Sequence, residues 1–531
     1  MNIASSKEDM LTDKRLRDLP DAPMEGLRVL ALPSSGVAPE KHYIFWPLRV
    51  AKEHWNWRVD ILCSASTPNE YEKLIAPSGQ FFVRPTLSEH LPWEDDPKFV
   101  AELDLRIRDT ELATGVPTGQ VVLAADSKIG RGFVDPVISL SDNRTARRVD
   151  EDNLEPYRIV RRLFHFAEEM LDASKPDLVY SYEWAKPWLF TVWLAARRRG
   201  IPCIVVRRSK LRSDHCFVTA DRLMFNVAAR AIAAAKNGSS ASVSDAANNY
   251  IRSFREQPKM VKYVEAKWTE KAKRTWLNWH LQWGRSNASS MVRSVRGRGR
   301  AWHPVKQANK LYDFNRQAFR AWRHQRFMRA VSVGELANLK YVYFPLHKET
   351  DLPLNFQAAA WFDQRFTVRL LASVMPNGYR LLVREHRHNY GMRPAGYYQE
   401  LSRLPNVMLI DAYDSQFKYV KHAALVVTEN GSTGWEGLLL RRKVLTLSKT
   451  FYDGAGLARK LDRNEDLGAE MVELLGSPDV EDVAEHDRAL GRMIDAEFET
   501  TFDPQDAKAT VDYFQTAITP LVTSKRPARS S

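Results

Sequence analysis

Between Tyr341 and Gly456 short apolar runs alternate with stretches of helical spacing. YVYFP (341–345), RLLVREH (380–386), NVMLIDAYD (406–414), the ALVVT that opens 424–440, and KVLTLSKTFYDGAG (443–456) read as five strands. Strands separated by helices at this spacing predict a parallel sheet covered on both faces. A second set of the same kind lies nearer the N-terminus: LRVLALP (27–33), WRVDILC (57–63), PDLVYSY (176–182) and IPCIVVR (201–207), with helices over 156–174 and 184–199. Residues 76–150 contain prolines and two short strand candidates and read as an elaboration of this first half. From 223 to 330 the pattern becomes nearly continuous helix, interrupted by SNASSMVRSVRGRGR (286–300). DPQDAKATVDYFQTAITPLV then predicts a terminal helix with Asp503 near its N-cap and Pro504 at N1.

These patterns divide the chain into a disordered tail (1–25), an N-terminal Rossmann-like domain (26–222), a helical basic insertion (223–335), a C-terminal Rossmann-like domain (336–500) and a terminal helix and tail (501–531). A length of 531 residues agrees with more than one core. Cys63, Cys203 and Cys216 are too few and too scattered for a disulfide framework or a zinc site, which predicts a reducing compartment. The first 25 residues have no apolar core of a signal peptide, and PWLFTVWLAA (187–196) is too short to span a bilayer, so a cytoplasmic location is expected.

Charge changes the picture in one place. Residues 256–330 carry seven lysines and eleven arginines against three glutamates and one aspartate, a net +14 in a chain whose total is +13. Val261, Val264, Trp268, Ala272, Trp276, Trp279 and Trp283 fall at helical spacing, with Lys259, Lys262, Lys267, Lys271, Lys273 and Arg274 on the remaining surface. Such a helix suits an anionic membrane surface, here through 259–330 at the inner face of the cytoplasmic membrane, and equally suits tryptophans packed on a core beneath solvated lysines. RGRGR (296–300) resembles a nucleic-acid segment, but no other such motif accompanies it, and nucleic acid is set aside as a partner.

Ligands bind parallel sheets at the carboxyl ends of the strands. Those ends carry His347 and Lys348 in PLHKETDLP, Arg384, Glu385, His386, Arg387, His388 and Arg393 in VREHRHNYGMRP, and Asn430, Ser432, Thr433, Gly434 and Glu436 in TENGSTGWEG. The cations suit a nucleotide phosphate. Ser432 and Thr433 are expected to cap a helix whose N-terminus attracts anions, with Glu436 one turn in as an acceptor for a ribose. Glu349 or Asp351 would orient an acceptor hydroxyl. The same residues also suit an ordinary capped helix and a solvated loop. In the first half, Glu183 at a strand end and Asp214 within RRSKLRSDH (207–215) are the candidate catalytic carboxylates. The spacing offers no metal site.

The blocks FPLHKETD, MPNGYRLLVREH (375–386), LPNVMLIDAYDS (404–415) and VVTENGSTGWEGLLLRRKVLTLSKTFYDGAG together resemble the capsule polysaccharide biosynthesis family. Its pattern of a strand ending Glu-His-Pro, a Ser-Thr-Gly-x-Glu turn and a Phe-Tyr-Gly exit matches Glu385-His386, Ser432 to Glu436, and Phe451-Tyr452 with Gly454 and Gly456. Arg387 stands where the pattern has proline, an added cation that bears on which nucleotide sugar is taken. The resemblance implies an α/β GT-B-like fold of two facing Rossmann-type domains and a metal-independent glycosyltransferase without a cofactor. It implies a nucleotide-sugar donor, CMP-Kdo in the family, held by His386, Ser432, Thr433 and Glu436. The acceptor would be a lipid-linked or surface polysaccharide, with Glu183 or Asp214 on its side. A sugar-nucleotide epimerase or hydrolase has the same paired folds, and a non-catalytic assembly partner at the membrane would use only the basic helices.

Overall fold

The computed structural model describes residues 24–33, 38–63, 79–83, 91–121, 155–236, 242–258, 318–348, 353–391, 393, 396–477, 480 and 482–523, with isolated positions between 284 and 315. The tail 1–23, most of the basic segment from 259 to 317, and Glu349 and Asp351 lie outside them. The chain forms two compact units. The first comprises 1–125, 150–235 and 493–531, and the second 126–149 and 236–492.

Unit 1 is built on a six-stranded sheet, in the order β3-β2-β1-β4-β5-β6. The strands are β1 (Arg28–Leu32), β2 (Arg58–Cys63), β3 (Phe81–Val83), β4 (Leu178–Ser181), β5 (Cys203–Arg208) and β6 (Cys216–Thr219). The first five pair in parallel. β6 pairs antiparallel with β5, and this departs from the all-parallel expectation. A short 209–215 turn is the cause, because a parallel partner would need a crossover of a dozen or more residues. Val29, Val59, Leu178 and Ile204 pack with Trp55, Trp57, Val511, Phe514 and Ile518, so the Ala507–Thr523 helix completes this core. Trp57 stacks between Trp55 and Phe514 at centroid distances of 5.7 and 6.3 Å. That helix is capped by Asp506, whose carboxylate accepts from the Ala509 amide at 3.1 Å. Asp503, expected as the cap, instead accepts from the Gln505 amide at 2.9 Å in the turn before it. The continuous helix expected from 223 is also broken. It divides into Val227–Ala235 and Asp245–Glu256, and the Ser244 hydroxyl starts the second by accepting from the Ala247 amide at 3.1 Å.

Unit 2 carries the order β12-β11-β10-β7-β8-β9, parallel throughout. Its strands are β7 (Tyr341–Pro345), β8 (Arg380–Arg384), β9 (Val407–Ile410), β10 (Leu425–Thr428), β11 (Val444–Thr446) and β12 (Arg459–Lys460). Val342, Phe344, Leu381, Val383, Leu425 and Val427 are buried, as a sheet covered on both faces requires. In both units the central pairs β1/β4 and β7/β10 are where strand order reverses, the switch point at which doubly wound sheets bind ligands. The fold is α/β with two Rossmann-type sheets, the composition of the GT-B class.

Candidate functional site

The unit 2 switch point brings together the loops after β7 and β10. From the first comes His347. The fully buried Gln364 side chain holds its backbone, accepting from the His347 amide at 2.5 Å and donating to its carbonyl at 3.1 Å. From the second comes Glu429, also fully buried, whose Oε2 lies 3.3 Å from His347 Nε2. Thr428 Oγ1 is 3.4 Å from the same nitrogen and accepts from the Gly431 amide at 3.0 Å. A side chain at Gly431 would come within 3.0 Å of both His347 and Thr428, so this glycine makes room for the imidazole. Sequence reading missed Glu429. The available signal was a carboxylate in the first position after an otherwise apolar strand.

The Ser432–Leu439 helix starts immediately beyond. Its N-cap is Gly431, so Ser432 and Thr433 are the first two helical residues and not caps. Ser432 is exposed and Thr433 buried, and their amides belong to the first turn, whose N–H groups have no partner within the helix. Gly434 lets Tyr452 close over this turn: a Cβ there would lie 2.0 Å from the phenolic oxygen, which donates to the Gly431 carbonyl at 3.2 Å. Glu436 is buried beneath the helix, where Gln416 Nε2 donates to it at 2.7 Å. Burial pushes its carboxyl up to about 8, against the opposing pull of Arg384 and the Gln416 hydrogen bond. Its position beneath the helix is not that of a ribose acceptor on the surface.

The cation cluster after β8 is largely engaged by the protein itself. Arg384 Nη2 donates to the Ala412 and Asp414 carbonyls at 2.8 Å each. Arg387 donates through Nε to Ala412 at 2.9 Å and through Nη2 to Tyr413 at 3.1 Å. Glu385 and Arg393 form a buried two-point pair at 2.7 and 3.0 Å, and Tyr398 donates to Glu385 at 2.6 Å. These groups brace the 412–414 loop and the His347 loop, whose carbonyl also accepts from Arg393 at 3.4 Å. The row of cations expected at this strand end is thus held in large part by loop carbonyls and by Glu385. His386 is half-buried, its amide donating to Glu385 at 2.6 Å, and the His388 side chain is outside the described residues. Lys348 is half-buried beside His347, and Asn430 is buried with its amide 3.4 Å from Gln357 Oε1.

In unit 1, Glu183 follows β4 at the switch point, where Ser181 Oγ lies 3.1 Å from the Leu32 carbonyl and 2.9 Å from the Glu183 carbonyl, its one proton shared between them. The Glu183 carboxylate pairs with Lys186 at 3.0 Å. Asp214 lies in the β5–β6 turn, one strand along from β4, with its side chain 74% exposed. Partial burial would raise its carboxyl, but the His215 hydrogen bond and the His215 and Arg212 charges outweigh it and hold the group below the ordinary aspartate value. Among the described residues no cluster of three His, Cys, Asp or Glu side chains is arranged as metal ligands, and no helix is long and apolar enough to cross a membrane.

Comparison with known proteins locates the resemblance. Solved structures similar to the chain include a KpsC β-Kdo 2,4-transferase from Thermosulfurimonas dismutans, 14% identical over 59% of this chain and 78% of that one, with a TM-score of 0.30. They also include the calicheamicin glycosyltransferase CalG4, 13% identical over 93% and 99%, TM-score 0.28. A third is UDP-GlcNAc 2-epimerase from Neisseria meningitidis, 14% identical over 92% and 98%, TM-score 0.26. Scores this low transfer no function. No curated protein matches the chain in sequence. Residues 295–469, which contain the whole His347–Glu436 site, match the family described as capsule polysaccharide biosynthesis protein.

Proposed function

We propose that the chain is a glycosyltransferase of capsule polysaccharide biosynthesis that holds its nucleotide-sugar donor at the β7/β10 switch point. The observation that carries this is the coincidence of the family match over 295–469 with the His347–Glu429 pair beside the Ser432–Leu439 helix N-terminus. In this reading the first-turn amides and the helix dipole take the donor phosphate. His347, oriented by Gln364 and given a countercharge by Glu429, stabilises the negative charge that grows on the leaving phosphate, a task that asks for no metal. Glu183 is the better placed of the two carboxylates to receive a proton from the acceptor hydroxyl, since it stands at a switch point and Asp214 does not. The donor is CMP-linked, and the acceptor is a lipid-linked or surface polysaccharide at the cytoplasmic face of the membrane.

The test is a thermal-shift series on the full chain with CMP, UDP and GDP and their sugars. A ligand at a hundred times its Kd adds about 2.7 kcal/mol to apparent stability. Stabilisation by CMP that disappears in His347→Ala supports the reading. Stabilisation by another nucleotide overturns the donor class, and no shift with any nucleotide at millimolar concentration overturns the donor site. Turnover of the nucleotide sugar without an acceptor would make the chain a hydrolase or epimerase.

A further inference from the structure

One helix of unit 2 turns its aromatic side chains outward. It runs over 318–325 and is tied to the unit along one side and at its far end. On the tied side the buried His324 ring stands 4.6 Å from Tyr398, and Gln325 donates to Asp411 at 3.0 Å and accepts from Tyr390 at 2.6 Å. Beyond the helix Phe327 and Met328 pack on the unit 2 core, and the Arg329 amide donates to the Leu409 carbonyl of β9 at 2.9 Å. At about 3.6 residues per turn, Phe319, Trp322 and Arg323 are turned away from His324.

Those outward residues form a contiguous patch. Trp322 is 73% and Phe319 57% exposed, their rings are 5.9 Å apart, and the Arg323 guanidinium lies 5.9 Å over the Phe319 ring. Single exposed apolar side chains are ordinary, whereas large aromatics in contact on one face mark a surface that meets a partner. The charge around them has one sign. From 314 to 334 the chain carries five arginines and no aspartate or glutamate. Arg323 and Arg326 are exposed and form no ion pair among the described residues, whereas Arg329 is taken by Glu335 at 2.8 Å. Burial first, and then the Arg320, Arg323 and Arg326 charges, push the His324 imidazole down to about 4 against the pull of Glu385.

Tryptophan and phenylalanine beside arginine on one exposed side are the composition of a helix that lies in the plane of an anionic bilayer. The rings enter the boundary between headgroups and acyl chains, and the long arginine stems keep their guanidiniums at the phosphates. The stretch from Trp268 to Trp283, which the sequence offered for this role, lies outside the described residues. We propose that the side of 318–326 carrying Phe319, Trp322, Arg323 and Arg326 docks unit 2 on an anionic phospholipid surface. The inference does not depend on the donor site.

Co-sedimentation of the full chain with phosphatidylcholine vesicles, with and without phosphatidylserine, tests it in wild type, Phe319→Ser/Trp322→Ser and Arg323→Gln/Arg326→Gln. Wild type should bind the vesicles that contain phosphatidylserine and leave the others in solution. Loss of two basic residues near an anionic surface should weaken binding about thirtyfold, and loss of the two aromatics at least about tenfold. Both variants should keep the wild-type melting temperature, because the replaced side chains are exposed, and should respond to CMP as wild type does. Failure of the docking surface and failure of the donor reading are thereby told apart. Absence of vesicle binding in wild type, unchanged binding in either variant, or equal binding without phosphatidylserine overturns the proposal. A dimer in sedimentation velocity that Phe319→Ser/Trp322→Ser dissociates, with no vesicle binding, overturns it in favour of a second copy of the chain.

Discussion

Glu436 makes the fold sensitive to alkali, and Glu436→Gln should remove that sensitivity. The carboxyl is buried, receives one hydrogen bond from Gln416, and is pushed up to about 8 from an ordinary 4.5. A raised carboxyl binds its proton more tightly in the folded state. Its contribution is fully present below about pH 4.5 and is lost as pH rises toward 8. One unit corresponds to about 1.4 kcal/mol, so the folded state should lose about 3 kcal/mol on this account between pH 5 and pH 8. Glutamine cannot ionise and keeps a carbonyl for the Gln416 amide, so the two proteins should differ little at pH 5. The assay is the urea midpoint of each protein at pH 5, 6, 7 and 8, followed by exchange protection of the Ser432–Leu439 amides to place the effect in unit 2. Buried His324 and His486, both held below the ordinary imidazole value, act in the opposite sense at acid pH and cancel in the difference. A wild-type-to-variant gap that stays constant from pH 5 to 8 would refute the account of Glu436 as a buried acid.

Three other perturbations separate bracing from binding. Arg393→Ala strands the buried Glu385 carboxylate and should cost about 3–5 kcal/mol by urea denaturation. Gly434→Ala places a methyl against Tyr452 and should cost about 1–3 kcal/mol, with Tyr452→Phe in the same chain recovering part of it. Truncation before Ala507 removes Val511, Phe514 and Ile518 from the unit 1 core, and limited proteolysis should then cut within β1 to β6 while leaving β7 to β12 protected.

Most of the fold was legible because its determinants are local. YVYFP coincides with β7, and the strands read at 380–386, 406–414 and 424–440 contain β8, β9 and β10. What was missed is short or nonlocal. β12 has two residues and no pattern of its own, and β3, with three, falls in the 76–150 stretch where short strand candidates were read without a place in the sheet. The antiparallel β6 depends on a tight turn in a stretch that reads as a charged loop, and its other edge is joined by Phe502 from the far end of the chain, through a mutual pair of backbone hydrogen bonds with Cys216.

The site was legible as a set of residues, while what each of them faces was not, for a physical reason. A sequence shows charge but not what the charge faces. Arg384, Arg387 and Arg393 read as ligands for phosphate because strand ends of parallel sheets are where phosphates bind. Those same strand ends expose carbonyls of neighbouring loops, and a buried guanidinium must satisfy its donors whether or not a substrate is present. Here the carbonyls of Ala412, Tyr413 and Asp414 and the Glu385 carboxylate take most of those donors. The carboxylate that does approach a histidine at the switch point, Glu429, is masked in the sequence by the turn residues Asn430 and Gly431 that follow it. The arginines are thus largely engaged by the protein itself. Charge reversal at Arg387 should therefore disturb the 412–414 loop before it changes nucleotide choice, and a thermal-shift ranking of CMP, UDP and GDP that inverts in Arg387→Glu without loss of stability would contradict this division of labour.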